Sequence, residues 1–299
     1  MEFDTKFDPR HGQAVEVAKG VLRVTAPNAS PFTFHGTNSY IVGTDTLAVI
    51  DPGPNDEQHL AALVKAIDGR PVSHIFVSHT HRDHSPLARP LAERTGATVL
   101  AEGPYRPARI AQVGEADRLD ASNDVEFSPD HALADQELVE GDGWALRTVL
   151  TPGHSANHAV FALQGTGILF SADHVMGWST TIVAPPDGAM ADYMASLERL
   201  LARDDRLFLP GHGGPIGNPA AFMRGLRTHR RMRERTILER VMQGNRKIPD
   251  IVAAIYRDTD PRLFGAAGLS VFAHLEDLVG RGAVATDGPP SLHGEFRPG

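Results

Sequence analysis

The sequence HTHRDH at residues 79–84 decides which fold and which chemistry we expect of this chain. It directly follows the apolar run His74-Ile-Phe-Val-Ser78, which predicts a short buried strand. Its imidazole and carboxylate side chains are the types that hold zinc-like ions: His79, His81, Asp83 and His84. In an extended or tightly turned segment, His79 and His81 point the same way. A turn at Arg82 then sends the last two ligands to a second ion about 3.5–4 Å away, the spacing of two-metal sites.

Three later residues with metal-binding side chains each follow a predicted strand: His154, Asp173 and His212. Each stands near a small or turn-forming residue, and glycine lets the backbone bring a side chain close to an ion. A single histidine at a strand end is more often an ordinary surface or core residue, so each is weak evidence alone. Together with residues 79–84 they predict one shared metal site. The alternative for residues 79–84 is a polar surface loop that happens to hold three histidines.

Composition narrows the chemistry that such a site could perform. The chain has 299 residues, 15 histidines and no cysteine. The absence of cysteine excludes a disulfide scaffold, a cysteine nucleophile, an iron–sulfur cluster and a cysteine-rich zinc finger. Five histidines are assigned to the site, and we expect the other ten to be ordinary, among them His59, His131 and His229.

Charge and hydropathy bear on the partners and the cellular location of the protein. The net charge is −8, from 29 Lys and Arg against 37 Asp and Glu, whereas proteins that coat nucleic acid are usually basic. No apolar run reaches the roughly 18 residues of a membrane-spanning helix, and residues 1–9 lack the basic and apolar regions of a secretory signal. The sequence therefore predicts no membrane association and a cytoplasmic location.

The pattern of elements changes near residue 219. Before it, short apolar strands alternate with helices, and residues 102–135 are expected to be irregular. After it, the spacing predicts helices over 219–243, 249–256 and 262–279 and then a weak strand pair, which is the order of a winged-helix module. We predict a catalytic domain over 1–218 and a small, mostly helical, winged-helix-like domain over 219–299.

The ordered motifs HTHRDH, TPGHS (151–155), SADH (171–174) and PGHG (210–213) resemble the metallo-β-lactamase superfamily. This resemblance implies an α/β fold, an αββα sandwich with the metal site at one edge. It implies that a first ion is held by His79, His81 and His154, and a second ion by Asp83, His84 and His212, with Asp173 bridging the two. The upstream Asp51-Pro-Gly also matches the superfamily, and the resemblance implies that Asp51 orients the site from behind the ligands.

A closer similarity covers almost the whole chain, through residues 36–43, 171–177 and 192–197 and the winged-helix-like end. These segments are similar to the β-lactamase-like protein 2 group, whose bacterial members are mostly called hydrolases. At least one animal relative is regarded as a single-stranded RNA endonuclease. Other branches of the superfamily fit less well. The antibiotic-hydrolysing enzymes use a cysteine ligand, flavodiiron relatives have Glu where His81 stands, and the nuclease branches carry large insertions or arms. The glutathione-binding motif of glyoxalase II relatives is also not recognisable here.

We therefore predict a hydrolase whose two divalent ions, Zn²⁺ by default with Mn²⁺ or Fe²⁺ as alternatives, share a hydroxide nucleophile. Asp83 is the predicted catalytic residue, because it binds an ion and lies where it could shuttle a proton. The expected substrate is an ester-like or thioester-like small molecule, and a homodimer is a further expectation. Near the site, His174, Trp178 and Tyr193 are expected either to line the substrate pocket or to belong to the core.

Two other functions stay open at this stage. The same site could cleave single-stranded RNA, guided by the arginines of residues 224–235, although an ion-paired, solvated helix face is the preferred explanation of that run. The chain could instead be a winged-helix regulator with a relic hydrolase domain. An intact set of seven ligands argues against the relic, and residues 266–278, the expected recognition helix, contain no Lys or Arg.

Overall fold

The computed structural model describes residues 2–111, 122–257 and 264–299, and in them two β-sheets pack face to face. The first sheet has the order β1 to β7: Val15–Ala18, Val21–Thr25, Asn38–Val42, Leu47–Ile50, Val72–Phe76, Thr98–Ala101 and His131–Ala132. The second has the order β12-β11-β10-β9-β8, with strands β8 to β12 at Leu138–Gly141, Trp144–Leu150, Ala159–Leu163, Ile168–Ala172 and Leu207–Pro210.

Helices cover the outer face of each sheet and complete the four layers. On the first sheet lie α1 (Glu57–Ile67) and α2 (Ala88–Thr95), and on the second lies α3 (Met190–Leu201). Aromatic side chains such as Phe76 and Phe161, whose rings are 5.1 Å apart, fill the space between the sheets. The predicted αββα sandwich is therefore confirmed.

One edge of the sandwich collects the carboxyl ends of several strands. β4 runs parallel to β5 and β11 runs parallel to β12, so the residues that follow these strands emerge at neighbouring points. Two main-chain hydrogen bonds join the sheets at this edge: Ala159 N–H to Ser78 O (2.8 Å) and Asn38 N–H to Gly211 O (2.7 Å). Main-chain hydrogen bonds therefore hold the two sheets together at this edge, independently of the side chains of the predicted metal site.

The C-terminal region consists of α4 (Pro219–Met242), α5 (Ile248–Ile255), α6 (Phe264–Gly280) and a hairpin of β13 (Val284–Thr286) and β14 (Phe296–Pro298). This is the predicted order of three helices and a strand pair, although residues 262–263 of the third predicted helix lie outside the described residues. The predicted boundary falls where α4 begins. The first half of α4 packs on the sandwich and the second half on the C-terminal core, so the division into 1–218 and 219–299 stays a prediction.

Two strands depart from the sequence prediction. The sequence predicts no strand in the segment that holds β1, and β7 lies within residues 102–135, which were expected to be irregular. Both are short, half-buried or exposed, and pair at the rim of the first sheet, so they lack the continuous apolar run that marks a buried strand. Residues 112–121 of the predicted irregular stretch lie outside the described residues. In the described part of the chain, no helix is long and apolar enough to cross a membrane.

Candidate metal centre

The structure brings all seven residues of the predicted ligand set together at the strand-end edge. They form three overlapping groups whose ligand atoms lie within 4.8 Å of one another: His79, His81 and His154; His79, His84 and Asp173; and Asp83, His84 and His212. We call the first the trihistidine group and the last the carboxylate group. Asp173 lies between them, with its oxygens 3.6 Å from His154 Nε2 and 3.3 Å from His212 Nε2.

The backbone approach that the sequence predicted is visible at Gly211. This glycine precedes His212 at the end of β12 and packs directly beneath the cluster. A Cβ atom there would lie 2.8 Å from Cε1 of His84 and would collide with the carboxylate of Asp173. Only glycine fits, because contacts this short essentially never occur around a real Cβ atom.

In the trihistidine group, the ring nitrogens that face the centre carry lone pairs. His154 Nδ1 donates to the carbonyl of Ile182 (2.6 Å), and His81 Nε2 donates to the carboxylate of Asp187 (2.7 Å). The hydroxyl of Ser78 donates to Asp51, so it accepts a hydrogen bond from Nδ1 of His79 (2.9 Å). A neutral imidazole has one N–H, so when all three rings are neutral the inner nitrogens are acceptors, although two of their pairs are only 2.9 and 3.0 Å apart.

In the carboxylate group, the outer nitrogens are engaged in the same way. His84 Nδ1 lies 3.0 Å from Asp51 Oδ2, and His212 Nδ1 lies 3.2 Å from the carbonyl of Gly36. The inner Nε2 atoms of both rings face Asp83 and Asp173 at 3.2–3.5 Å. The buried atoms His84 Nε2 and Asp173 Oδ1 have no hydrogen-bond partner among the described residues.

Seven acceptors that face one another need positive charge between them. Protons would supply it wherever no cation is bound: burial lowers the pKa of His212, but Asp173 and Asp83 raise it to about 10. Burial would raise the pKa of Asp83, yet His84 and His212 hold it well below its ordinary value. Divalent cations bound by nitrogen and oxygen donors would take the place of these protons, so the donor set fits the metal ions that the sequence predicts.

Asp187 is a site residue that the sequence analysis missed. Its carboxylate fixes the ring of His81, an arrangement that orients a metal-binding histidine and raises its basicity. Asp51, in contrast, was expected behind the ligands and contacts both Ser78 and His84 there. No motif marks Asp187, because it lies in the loop before α3, whose path follows from packing rather than from a strand end.

His158, one of the ten histidines expected to be ordinary, lies in the core beside the predicted ligands, with its ring 5.0 Å from that of His79. It is fully buried, and its Nε2 accepts the main-chain N–H of Asp173 (3.3 Å) while its Nδ1 contacts the hydroxyl of Thr151 (2.9 Å). Burial, followed by the charges of His174 and His154, holds its pKa well below the ordinary value, so the ring stays neutral. Its signal in the sequence was its place directly before β10 in the same predicted strand pair as the ligands.

The other three candidates near the site belong to the packed interior or its margin. His174 is fully buried with its ring 4.6 Å from that of Tyr193, and the Tyr193 hydroxyl donates to the carbonyl of His174 (3.2 Å). Trp178 stacks on Phe34 at 4.8 Å. None of the three is among the described residues that line the cavity at the site.

A cavity of about 720 Å³ opens above the cluster, within the usual size range of small-molecule sites. Polar residues of the predicted ligand set form one end of it, including His81, Asp83 and Asp173. Much of the remaining wall is apolar and comes from both halves of the chain: Phe32, Met176, Ile182, Ala184, Pro185, Pro186, Leu269, Phe272 and Leu292. Among the described lining residues, Arg82 is the single Lys or Arg.

Much of the basic run on α4 is engaged within the protein. Arg227 and Arg231 both pair with Glu198 on α3 at 3.0 Å. Arg230 is buried, donates to the carbonyl of Thr181 and stacks over the ring of Tyr193 at 5.1 Å. These contacts favour the ion-paired helix over a track for phosphates.

Comparison with known proteins agrees with this architecture. A family model described as the metallo-beta-lactamase superfamily matches residues 32–212, and one described as the beta-lactamase associated winged helix domain matches residues 248–289. The chain is 30% identical over 274 residues to the beta-lactamase-like protein 2 homolog of Drosophila melanogaster, which spans 89% of this chain and 90% of that protein. An atrochrysone carboxyl ACP thioesterase of Paecilomyces divaricatus is 31% identical over 209 residues, which span 68% of this chain and 58% of the relative.

Among solved structures, a beta-lactamase domain protein from Burkholderia ambifaria has a TM-score of 0.80 at 23% identity, with 98% of this chain and 96% of that chain covered. The similarity in fold therefore includes the C-terminal helices as well as the sandwich. The resemblance predicted from the ordered histidine motifs is confirmed. The chain belongs to the metallo-beta-lactamase superfamily and carries its associated winged helix domain.

Proposed function

We propose that this protein is a dinuclear metal-dependent hydrolase that cleaves an ester or thioester bond in a small molecule. The observation that carries the proposal is the convergence of five imidazole ring nitrogens and two carboxylates at the end of a largely apolar cavity. One ion would be held by the trihistidine group and the other by the carboxylate group, with Asp173 shared. Zn²⁺ suits this set best, and Mn²⁺ and Fe²⁺ are the alternatives.

When bound, two such ions supply a nucleophile at neutral pH by lowering the pKa of water, and they polarise the oxygen of the scissile group. Asp83 is the residue placed to move protons. Its side chain is 25% exposed and lines the cavity, whereas the side chains of His84 and His212 are at most 1% exposed. The hydroxyl of Thr37 donates to its Oδ2 (3.2 Å) and fixes the carboxylate, which accepts a proton from the attacking water and returns it to the leaving group.

Two observations favour an ester or thioester over RNA. Several relatives of this chain, among them the one from Paecilomyces divaricatus, are named atrochrysone carboxyl ACP thioesterase. The wall of the cavity offers apolar side chains rather than the row of Lys and Arg that a phosphate backbone requires. Cleavage of single-stranded RNA is thus the second candidate, and a cytoplasmic location and a homodimer stay predictions.

A substrate panel tests the proposal: thioester, ester, lactone, β-lactam, phosphodiester and single-stranded RNA, each with and without chelator. We expect thioester or ester hydrolysis that chelator abolishes and that His81→Ala lowers by at least a hundredfold. The matched control is His131→Ala, an exposed histidine paired with Glu137 away from the site, which should leave the rate unchanged. RNA cleavage that disappears in His81→Ala, without ester or thioester hydrolysis, would replace our proposal with the second candidate.

A further inference from the structure

We propose that the C-terminal region builds the acyl-binding wall of this site, with Leu269 and Leu292 lining the apolar part of the cavity together with Phe32. This inference rests on the proposed function, because it names the kind of substrate that the site takes: an ester or thioester with an apolar acyl chain. The winged helix domain would then act as a specificity element for that chain rather than as a nucleic-acid reader.

The two leucines come from separate elements of the C-terminal region. Leu269 lies on α6, Leu292 lies in the connection between β13 and β14, and both remain partly exposed within the cavity. Phe272, a fully buried member of the C-terminal core against which Leu292 packs, also borders the cavity. Concave apolar walls of this kind are typical of small-molecule sites, because a ligand that covers them removes apolar surface from water.

Contacts to the sandwich hold this wall in place. Arg109 donates to Glu276 of α6 at 2.7 Å, and its guanidinium lies 5.8 Å from the centre of the Phe272 ring. The neighbouring residue Ala108 donates its N–H to the carbonyl of Pro186 (2.8 Å), next to Asp187. The acyl wall and the residue that fixes His81 are therefore tied to the same loop.

The part of the cavity wall at Phe32 is also preformed. Phe32 is 55% exposed, which is unusual for a phenylalanine, yet its loop is fixed by local hydrogen bonds. The hydroxyl of Ser30 accepts the N–H groups of Phe32 and Thr33, both at 3.1 Å. Phe34 anchors the same loop by stacking on Trp178. An exposed aromatic side chain that lines an apolar cavity is placed to contact a ligand rather than to stabilise the fold.

The charge of the wall selects among ligands. Among the described residues that line the cavity, Arg82 is the single Lys or Arg, and α6 between residues 266 and 278 has neither residue type. A polyanion would therefore gain few contacts on this side, whereas each methylene that the wall buries strengthens binding by roughly fourfold. The geometry thus favours a substrate whose scissile bond lies at Asp83 and whose acyl chain extends toward α6.

Chain-length selectivity tests the inference. Acetyl and decanoyl thioesters of N-acetylcysteamine are compared on the metal-loaded wild type, on Leu269→Trp and on Leu292→Gln. We expect wild type to favour the decanoyl substrate in kcat/KM by at least about 60-fold, the effect of three buried methylenes. Either substitution should lower that ratio at least tenfold. The control Met242→Trp, at an exposed methionine on α4 outside the cavity, should leave the ratio and the rates unchanged.

A binding measurement separates this inference from the proposed function. Calorimetry with a decanoyl amide that cannot be hydrolysed should give binding in wild type and at least tenfold weaker binding in Leu269→Trp. If that pattern appears but no thioester is cleaved, the acyl wall stands and the proposed reaction fails. Equal rates on both chain lengths in wild type, or equal losses on both in Leu269→Trp, would overturn the acyl wall.

Discussion

The trihistidine group and the carboxylate group use the same side chain, imidazole, in opposite electrostatic settings. Burial, and then the charges of neighbouring histidines, lower the pKa of His79 well below its ordinary value and that of His154 to about 4. In the carboxylate group, burial also opposes the charged ring, but Asp83 and Asp173 outweigh it and raise the pKa of His84 and His212. His79 and His154 in one half therefore stay neutral, whereas both histidines of the other half draw in positive charge.

This difference predicts how the affinity of each group for its ion should depend on pH and on the neighbouring residues. An ion in the trihistidine group competes with few protons, apart from one on His81, whose pKa Asp187 raises against the effect of burial. An ion in the carboxylate group must displace protons from both His84 and His212. The two ions should therefore respond differently to the same change.

The largest effect should come from the residue that the two groups share. We expect wild type to bind about two divalent ions per chain and Asp173→Ala to bind fewer than one, because its oxygens face His154, His84 and His212. Metal content of the purified proteins measures this. Full retention of both ions in Asp173→Ala and in His154→Ala would contradict the assignment of these residues as metal ligands.

Substitution within one group should cost one ion. His154→Ala should weaken the ion of the trihistidine group, and His212→Ala that of the carboxylate group, so each variant keeps about one ion per chain. Spectra of the cobalt-substituted variants should differ, because the ion that remains has mostly nitrogen donors in one and mixed donors in the other. Identical spectra would show that the two groups are not separate sites.

The pH dependence of metal binding should then distinguish the halves. Between pH 6 and 8, displacement of up to two protons makes affinity in the carboxylate group rise by as much as a hundredfold per pH unit. The trihistidine group should gain no more than tenfold per unit, from the proton on His81. Zinc competition against a chromophoric chelator at pH 6, 7 and 8, in His154→Ala and His212→Ala, measures each group separately. Parallel slopes would contradict the electrostatic difference.

The smallest effect should come from the residue that supports only one half. Asp187→Asn keeps the shape but removes the charge that holds His81, so affinity in the trihistidine group should fall by about 10–100-fold. Affinity in the carboxylate group should not change. Asp130→Asn, which removes a surface partner of Arg89, is the matched control. Zinc titration of the two variants side by side shows the difference, and equal losses at both groups would contradict the local role of Asp187.

How far the sequence predicts this site depends on where each residue lies. The residues of the predicted ligand set follow strands or form one compact motif, so apolar runs and adjacent glycines were enough to propose them together. Asp187 lies in a loop, and its contact with His81 spans 106 positions. A propensity pattern carries no information about such a long-range contact, which only the packing of the loop against the sandwich produces.

In the C-terminal region, too, local features were predictable from the sequence and long-range contacts were not. The order of three helices and a hairpin follows from periodicity, and the absence of Lys and Arg from residues 266–278 already argued against base readout. The sequence could not show that Leu269 and Leu292 face the cavity. That placement depends on how α6 packs against α3 and on the Arg109–Glu276 contact, both of which join residues far apart in the chain.

The most direct test of the central claim is a crystal structure of the zinc-loaded protein with anomalous data collected at the zinc edge. We expect two peaks about 3.5–4 Å apart, one within bonding distance of His79, His81 and His154 and the other within bonding distance of Asp83, His84 and His212. Asp173 should contact both. A single peak, or zinc bound elsewhere while these seven side chains remain without it, would contradict the dinuclear centre on which the account depends.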